Sequence, residues 1–600
     1  MIMHIKHREQ FALACSLVKW CILGTAVGLL AGTASALFLI ALEWATAQRE
    51  ASPWLLWFLP IGGAGIGWIY TRFGKEAEAG NNLLLERIQE PDGDVPTRMA
   101  PLIALATVGT HLFGGSAGRE GTAVQMGGSL TNLISRPLRL APEDRRILLM
   151  SGISGGFGSV FGTPVAGAIF GLEVLAIGRI RYDALVPCFI ASAIGDMVCR
   201  GLGIYHHLYD HPTSPGITPA LLLMVAIAGF LFGTASLFFS ELTHAVQQLA
   251  KTWIKRPWLR PFVGGLAVIG LTDLVGTRDY LGLSLPLIER SFRFGPEEVV
   301  LGAFALKILF TAVTLGTGFK GGEVTPLFCI GATLGYAFAK VTGQPTAMFA
   351  ALGFVAVFAG AANTPLACIL MGIELFGASL AVPLTLACIV SYISSGHRGI
   401  YLSQLVDTPK AAWVYVPEGA SLRDAWGGAL EVAMLSGRSY ETWSSSSPSH
   451  NDKEFAGADN LKSTPQPLGR LRVFLGSSDR TRPTTWKTTL TNPPTYLQIL
   501  RKAKEFGLPR GTVKKCDPSL IAQGEHPHGQ PEQGNGRLPI YVELHGTREM
   551  LERFCLDSAE LLQERIIVYQ DVERWGWHQG VFGEMTVRTE DELNGSNSSK

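Results

Sequence analysis

The sequence predicts an all-α polytopic membrane domain built from two repeats, followed by a small α+β soluble domain. Three observations carry this. Hydrophobic residues make up 47% of the chain and charged residues only 16%, far from the balance of an average soluble protein. The apolar residues are also concentrated: hydrophobic segments follow one another from about residue 11 to 403, and ordinary soluble character begins near 407. Finally, blocks of the first half recur in the second at a nearly constant offset.

The elements follow in order. Lys6, His7 and Arg8 precede the first hydrophobic stretch. At about 30 residues that stretch is too long for the apolar core of a signal peptide, and its basic flank places the N-terminus in the cytoplasm. A spanning helix needs roughly 20 apolar residues, a length that residues 12–42 and 220–242 meet. Residues 380–393 are fewer but uncharged. Residues 122–134 and 326–339 are short and glycine-rich, the pattern of broken helices in transporters. A net charge of +1 gives nucleic acid no footing. Nine cysteines lie mostly in apolar segments without a CxxC pair, as small buried hydrophobes in a reducing compartment and not as disulfides or metal ligands.

The block GLLAGTAS from Gly28 recurs as GFLFGTAS from Gly229, 201 residues on. FGTP ending at Pro164, with Glu173 behind it, recurs as ANTP ending at Pro365, with Glu374 behind it, again 201 residues on. GREGT from Gly118 pairs more loosely with GGEVT from Gly321, so Glu120 and Glu323 stand 203 apart. General likeness among Gly/Ala-rich helices does not produce a near-constant spacing. Repeats over about 12–205 and 215–405 follow, and a duplicated membrane domain places its ion site where the repeats meet. Hydropathy leaves open whether they are inverted or parallel.

Small anions in a membrane are held by helix N-termini, whose free N–H groups point at the charge. Glycines let the backbone come close. Four stretches combine glycine with a polar residue beside an apolar segment: 80–82, 118–122, 321–325 and 396–401. Glu120 stands out, because a carboxylate in hydrocarbon is expensive and marks function. It can occupy the anion's place when charged and vacate it when protonated. A purely structural ion pair with Arg119 is disfavoured, since adjacent helical residues do not face one another. Glu323 is either a second protonatable group or a first-turn carboxylate serving helix N–H groups. Glu173 and Glu374 are expected to hydrogen-bond between helices. Tyr401 either aims its hydroxyl at an anion or sits at the membrane interface.

These motifs resemble the CLC family of chloride channels and anion/proton antiporters. The resemblance covers roughly residues 15–405 and rests on GREGT followed by AVQMGG up to Gly128, supported by residues 158–173 and 316–335. It implies a CLC-like fold of two inverted repeats in each subunit of a homodimer, each subunit with its own pore. It further implies the plasma (inner) membrane, with both termini cytoplasmic. By resemblance Glu120 is the gating and proton-coupling glutamate and Tyr401 the pore tyrosine. The implied anion-binding set is Asn81, Gly118, Arg119, Gly121, Thr122, Glu323, Val324, Thr325 and Tyr401.

The departures from the family pattern narrow the expectation. Most chloride members carry serine in a Gly-Ser-x-x-Pro stretch, where this chain has Gly80-Asn81-Asn82-Leu83-Leu84. The gating motif ends in Thr122 in place of proline, and the Gly-x-Phe-x-Pro loop reads Gly322-Glu323-Val324-Thr325-Pro326. Chloride/proton exchangers have an inner glutamate directly after the one matching Glu173; here the residue is Val174. Together these resemble the bacterial fluoride/proton antiporter branch. Fluoride is a small, hard acceptor, and the Asn81 amide offers two donors where serine offers one. Without the inner glutamate, protons travel with Glu120 itself. The expected function is fluoride/proton antiport that exports fluoride, the alternative being a chloride-selective channel or chloride/proton exchanger of the same fold. No HExxH, P-loop or Ser/His/Asp motif points to an enzyme, and no cofactor or metal is expected.

Residues 407–468 read as a linker, flexible over 435–467. Strands at 470–475, 511–516, 538–544 and 565–572, with helices at 493–506 and 547–564, give the order βαββαβ of a ferredoxin-like cytosolic domain over 469–575. Residues 517–536 form a Gly/Pro/His-rich loop whose His526 and His528 are read as solvated, and 576–600 as a disordered tail. RVFLGSSDR from Arg472 resembles a small PII-like family of unassigned function that accompanies fluoride-exporting membrane proteins. That implies a regulatory role with a small-molecule ligand.

Overall fold

The computed structural model describes residues 2–90, 94–206, 212, 215–293, 299–411, 414–416, 419–424, 431–432, 468–475, 495–506, 508, 510–515, 540–562, 566–572, 575–578 and 581–584. The chain divides into two compact units, Met1–Val432 and Ala433–Lys600. The first is helical. Its first repeat contains α1 (Ile2–Ala51), α2 (Leu59–Ile69), α3 (Asn81–Gln89), α4 (Met99–Leu112), α5 (Glu120–Leu130), α6 (Asn132–Ser135), α7 (Pro142–Phe161), α8 (Pro164–Glu173) and α9 (Leu185–Gly201). The second contains α10 (Pro219–Trp253), α11 (Leu259–Val275), α12 (Leu285–Phe292), α13 (Ala303–Gly316), α14 (Val324–Thr342), α15 (Thr346–Ala362), α16 (Pro365–Phe376) and α17 (Ala381–Ser394).

Among the described residues five helical stretches are long and apolar enough to cross a membrane: Gln10–Ala51, Pro53–Ala79, Tyr182–Gly201, Pro219–Trp253 and Val324–Thr342. Others are too short. The eleven residues of α5 rise about 16 Å at about 1.5 Å each, half of a hydrocarbon core. A helix that stops short leaves backbone N–H groups that need partners inside the protein, and the duplicated architecture supplies them.

The repeat seen in the sequence is physical. Gly28 and Gly32 lie against the backbone of α9, and a Cβ on Gly32 would come 2.5 Å from the Gly195 carbonyl oxygen. Gly233, 201 residues after Gly32, lies likewise against α17, where a Cβ would come 2.4 Å from the Ser391 carbonyl oxygen. Gly127 meets Gly152 on α7 as Gly331 meets Gly353 on α15. Small residues permit these close helix crossings.

Glu173 and Glu374 do hydrogen-bond between helices, in a reciprocal way. The Glu374 carboxylate accepts from the Val165 and Ala166 N–H groups at 3.0 and 2.8 Å, and Glu173 from those of Leu366 and Ala367 at 3.0 and 2.8 Å. Each glutamate therefore caps the proline-started helix of the other repeat. Contacts exchanged in this manner are what a two-fold axis generates.

β1 (Ala176–Ile177) pairs in parallel with β2 (Leu405–Val406). Val406 N–H donates to Ala420 and Leu422 N–H to Gln404, both at 2.9 Å, and Leu422, Val416, Val406 and Ile177 share a small core. The first unit therefore extends to Val432, past residue 406 where the sequence placed the start of a linker. The segment lacks a long hydrophobic run, but main-chain pairing holds its described residues down. Two short strands, β3 (Val414–Tyr415) and β4 (Glu431–Val432), pair within it.

The second unit holds an antiparallel sheet of β5 (Leu468–Leu475), β6 (Arg510–Lys515), β7 (Ile540–Thr547) and β8 (Ile566–Val572) in the order β6-β7-β5-β8. Helices Thr495–Glu505 and Arg548–Asp557 accompany it, with Val473, Ile499, Leu544 and Phe554 in a common core. Part of the stretch read as a disordered tail is a hairpin, Trp575–His578 with Val581–Glu584, rich in strand-favouring Trp, Val and Phe. Residues 435–467, read from the sequence as flexible, residues 517–536 with His526 and His528, read as a loop, and residues 585–600 lie outside the described residues.

Candidate anion site

The two glycine-rich loops that precede α5 and α14 are joined by an antiparallel bridge. Gly118 N–H donates to the Gly322 oxygen at 2.6 Å, and Gly322 N–H to the Gly118 oxygen at 2.7 Å. This bridge sets two helix N-termini, one from each repeat, side by side.

Glu120, the first residue of α5, is fully buried between them. Its Oε2 accepts from the Thr325 N–H at 3.0 Å and the Arg119 N–H at 3.1 Å, and the Thr325 hydroxyl lies 2.5 and 2.6 Å from the two carboxylate oxygens. The Thr325 N–H belongs to the first turn of α14 and has no partner within that helix. One carboxylate thus caps both helices, where their dipoles favour negative charge. The Arg119 guanidinium stands 3.5 Å from Glu120 as well. The sequence argument against that pairing fails because Arg119 is the N-cap of α5 and does not share helical geometry with its neighbour. The pair nevertheless adds to, and does not replace, the contacts with Thr325.

Gly322 lies over the start of α5. A Cβ there would come 2.8 Å from the Gly121 nitrogen, 3.1 Å from that of Glu120 and 3.2 Å from that of Arg119. Glu323 is the N-cap of α14 but makes no side-chain cap bond, so the first-turn role falls to Glu120 from the other repeat. Val324 and Thr325 are buried beside it. The Thr122 hydroxyl is 2.7 Å from that of Thr107 on α4, and this pairing ties α5 to α4.

Asn81 opens α3 immediately after Gly80, whose φ of +62° suits glycine. The Asn81 amide nitrogen packs on Gly121, 3.0 Å from where a Cβ would stand. Its Oδ1 is buried and without a hydrogen-bond partner. Asn81 and the buried Tyr401 line one cavity of about 10 Å³ with Leu84, Leu85, Val124, Ile153, Phe170 and Val174, space on the order of a single water molecule. The structure therefore brings Gly118, Arg119, Glu120, Gly121, Thr325 and Asn81 together, and adds Tyr401 through the cavity. His397 and Arg398, in the same stretch as Tyr401, turn elsewhere: the His397 ring accepts from the Lys410 N–H at 3.0 Å and Arg398 pairs with Glu241 at 2.7 Å.

Sequence reasoning did not single out Thr107, Ile153, Phe170 or Gln404. The apolar wall residues carry no signal that separates them from core. Thr107 belongs to the site only through Thr122, 15 residues on, and Gln404 only through Val174, Ala362 and Asn363, 41 or more residues away.

Over residues 62–396 the chain matches the family model described as voltage gated chloride channel. It is 49% identical over 411 residues to a chloride/fluoride channel protein of Pseudomonas syringae pv. tomato, spanning 67% of this chain and 90% of that protein. It is 27% identical over 419 residues to the H(+)/Cl(-) exchange transporter ClcA of Vibrio vulnificus, spanning 64% and 88% respectively. The crystal structure of a CLC-type fluoride/proton antiporter superimposes with a TM-score of 0.63 at 34% identity, covering 65% of this chain and 98% of that one.

Proposed function

The chain belongs to the voltage-gated chloride channel (CLC) family, multi-pass membrane proteins that act as channels or anion/proton transporters, and on that premise we propose that it is a fluoride/proton antiporter that exports fluoride from the cytoplasm. The observation that carries this reading is the Glu120 carboxylate, which sits at the paired helix N-termini where a small anion would be stabilised. When charged, Glu120 occupies the donors itself. Protonation weakens its charge-assisted hydrogen bonds, the carboxyl swings away with its proton, and the anion takes the vacated N–H groups of α5 and α14.

Fluoride is favoured over chloride on three grounds. Hydrogen-bond donors cluster at the site in the Asn81 amide, the Thr325 hydroxyl and the backbone N–H groups. The cavity beside Asn81 is small. The crystal structure at 34% identity is that of a CLC-type fluoride/proton antiporter. Gly118, Arg119, Gly121, Thr122, Glu323 and Val324 complete the proposed anion path, and Val174 leaves no inner carboxylate. The reciprocal capping by Glu173 and Glu374 supports two-fold-related repeats, which we read as inverted and place in a homodimer with both termini cytoplasmic in the inner membrane. For the second unit we propose a ferredoxin-like, cytosolic regulatory domain that binds a small molecule; the strand order β6-β7-β5-β8 supports that fold.

Replacing Asn81 with serine tests the selectivity. The variant loses one of two amide donors and the packing on Gly121, so the ratio of fluoride to chloride efflux from proteoliposomes falls by about tenfold, equivalent to about 1.4 kcal/mol. An unchanged ratio, read with ion-selective electrodes on both anions, removes Asn81 from the selectivity argument.

A further inference from the structure

Gln404 is fully buried three residues after Tyr401. Its amide nitrogen donates to the carbonyl oxygens of Val174 at 3.0 Å and Ala362 at 3.1 Å, and its amide oxygen accepts from the Asn363 amide at 2.9 Å. Its main-chain N–H donates to the Tyr401 oxygen at 3.1 Å, and its own carbonyl accepts from the Leu422 N–H. Asn363 caps α15 in the left-handed region at φ 57° and also donates to the Arg398 oxygen at 3.1 Å.

One side chain thus ties three parts of the molecule together. They are the C-terminal end of α8 in the first repeat, the C-terminal end of α15 in the second, and the turn that carries Tyr401. Two of the residues so fixed, Val174 and Tyr401, line the cavity beside Asn81, while Gln404 itself does not. A buried amide is costly unless paired. Both donors and the acceptor of this one are engaged, so the spacing of the three elements is over-determined and not adaptable. An apolar side chain of the same bulk has nothing with which to hold the Val174 and Ala362 carbonyls.

We propose that Gln404 is a positioning residue that fixes Val174 against Tyr401 and thereby sets which anion the cavity beside Asn81 admits. This rests on the reading of that cavity as part of the anion path. Gln404 acts only through the two residues it holds. Loosening it lets the cavity widen, which favours the larger chloride relative to fluoride.

The test uses the full-length protein in proteoliposomes with two variants. Gln404→Leu keeps bulk and removes every hydrogen bond of the side chain, whereas Gln404→Glu keeps the shape and replaces the two N–H donors by at most the single O–H of a protonated carboxyl. Fluoride and chloride efflux are measured on the same preparations. A merely structural role lowers both fluxes in proportion. The expected result is a fluoride-to-chloride ratio lower by about tenfold, within the range that a misplacement of about 1 Å produces at a distance from the reacting group. A ratio within about twofold of wild type, which is under 0.5 kcal/mol, in variants that elute like wild type on size exclusion overturns the proposal. If neither variant elutes as folded protein, Asn363→Asp removes the donor to the Gln404 oxygen at equal volume and is read by the same criterion. A wild type without fluoride preference defeats the fluoride reading alone. The chloride-to-nitrate ratio of the variants then still decides the positioning role.

Discussion

Replacing Glu120 with glutamine abolishes proton-coupled anion movement and leaves the fold intact. Glutamine matches the carboxylate in shape. Its oxygen takes the Arg119 and Thr325 N–H groups, which lie 3.1 and 3.0 Å from Oε2. Its NH₂ donates to the Thr325 hydroxyl, which serves as donor or acceptor as required. What is lost is the charge that competes with the anion and the site that carries the proton. A positioned proton-transfer group is worth roughly 100- to 10,000-fold, so coupled flux falls by about 100-fold or more. Simultaneous pH and fluoride recordings on reconstituted E120Q check this. Coupled flux at the wild-type rate would remove Glu120 from its proposed role.

The second large effect comes from a residue with no side chain. Gly322→Ala places a methyl group 2.8 Å from the Gly121 nitrogen and within 3.2 Å of those of Glu120 and Arg119. These are backbone atoms at a helix start, held by the Gly118–Gly322 bridge, and they cannot retreat without breaking it. Overpacking of this kind costs about 1–3 kcal/mol, and the methyl also covers the N–H groups offered to the anion. Fluoride and chloride transport both fall by about 100-fold, the order expected when a site is misplaced by about 1 Å. Gly270→Ala is the control, since nothing lies within 4 Å of a Cβ at Gly270; its transport and melting temperature stay at wild-type values. Normal transport by Gly322→Ala would mean that the anion does not pass the start of α5.

Much of the membrane fold was legible because duplication leaves a constant spacing. The offset that relates Gly28 to Gly229 reappears as two equivalent helix crossings, and the one that relates Glu173 to Glu374 as reciprocal caps. Glu120 was legible because a carboxylate among glycines and apolar residues has few inert explanations. Its principal partner was not. Thr325 lies 205 residues away, and no local pattern assigns its hydroxyl to a particular carboxylate. The Arg119 contact was misjudged because the rule for helical neighbours applies inside a helix and Arg119 stands at its cap. Residues 407–424 read as a linker because main-chain pairing with 404–406 leaves no trace in composition. Gln404 escaped notice for the same reason as Thr325: its three side-chain partners come from α8 and α15.

The most direct test is proton-driven fluoride movement by the wild-type protein, in sealed proteoliposomes with the membrane potential clamped and equal fluoride on both sides. Imposing a pH gradient alone is predicted to drive fluoride uphill, out of the more alkaline compartment, with protons moving the opposite way and little response from chloride. Fluoride that stays at equilibrium under the gradient, or chloride that moves as readily as fluoride, would contradict the assignment.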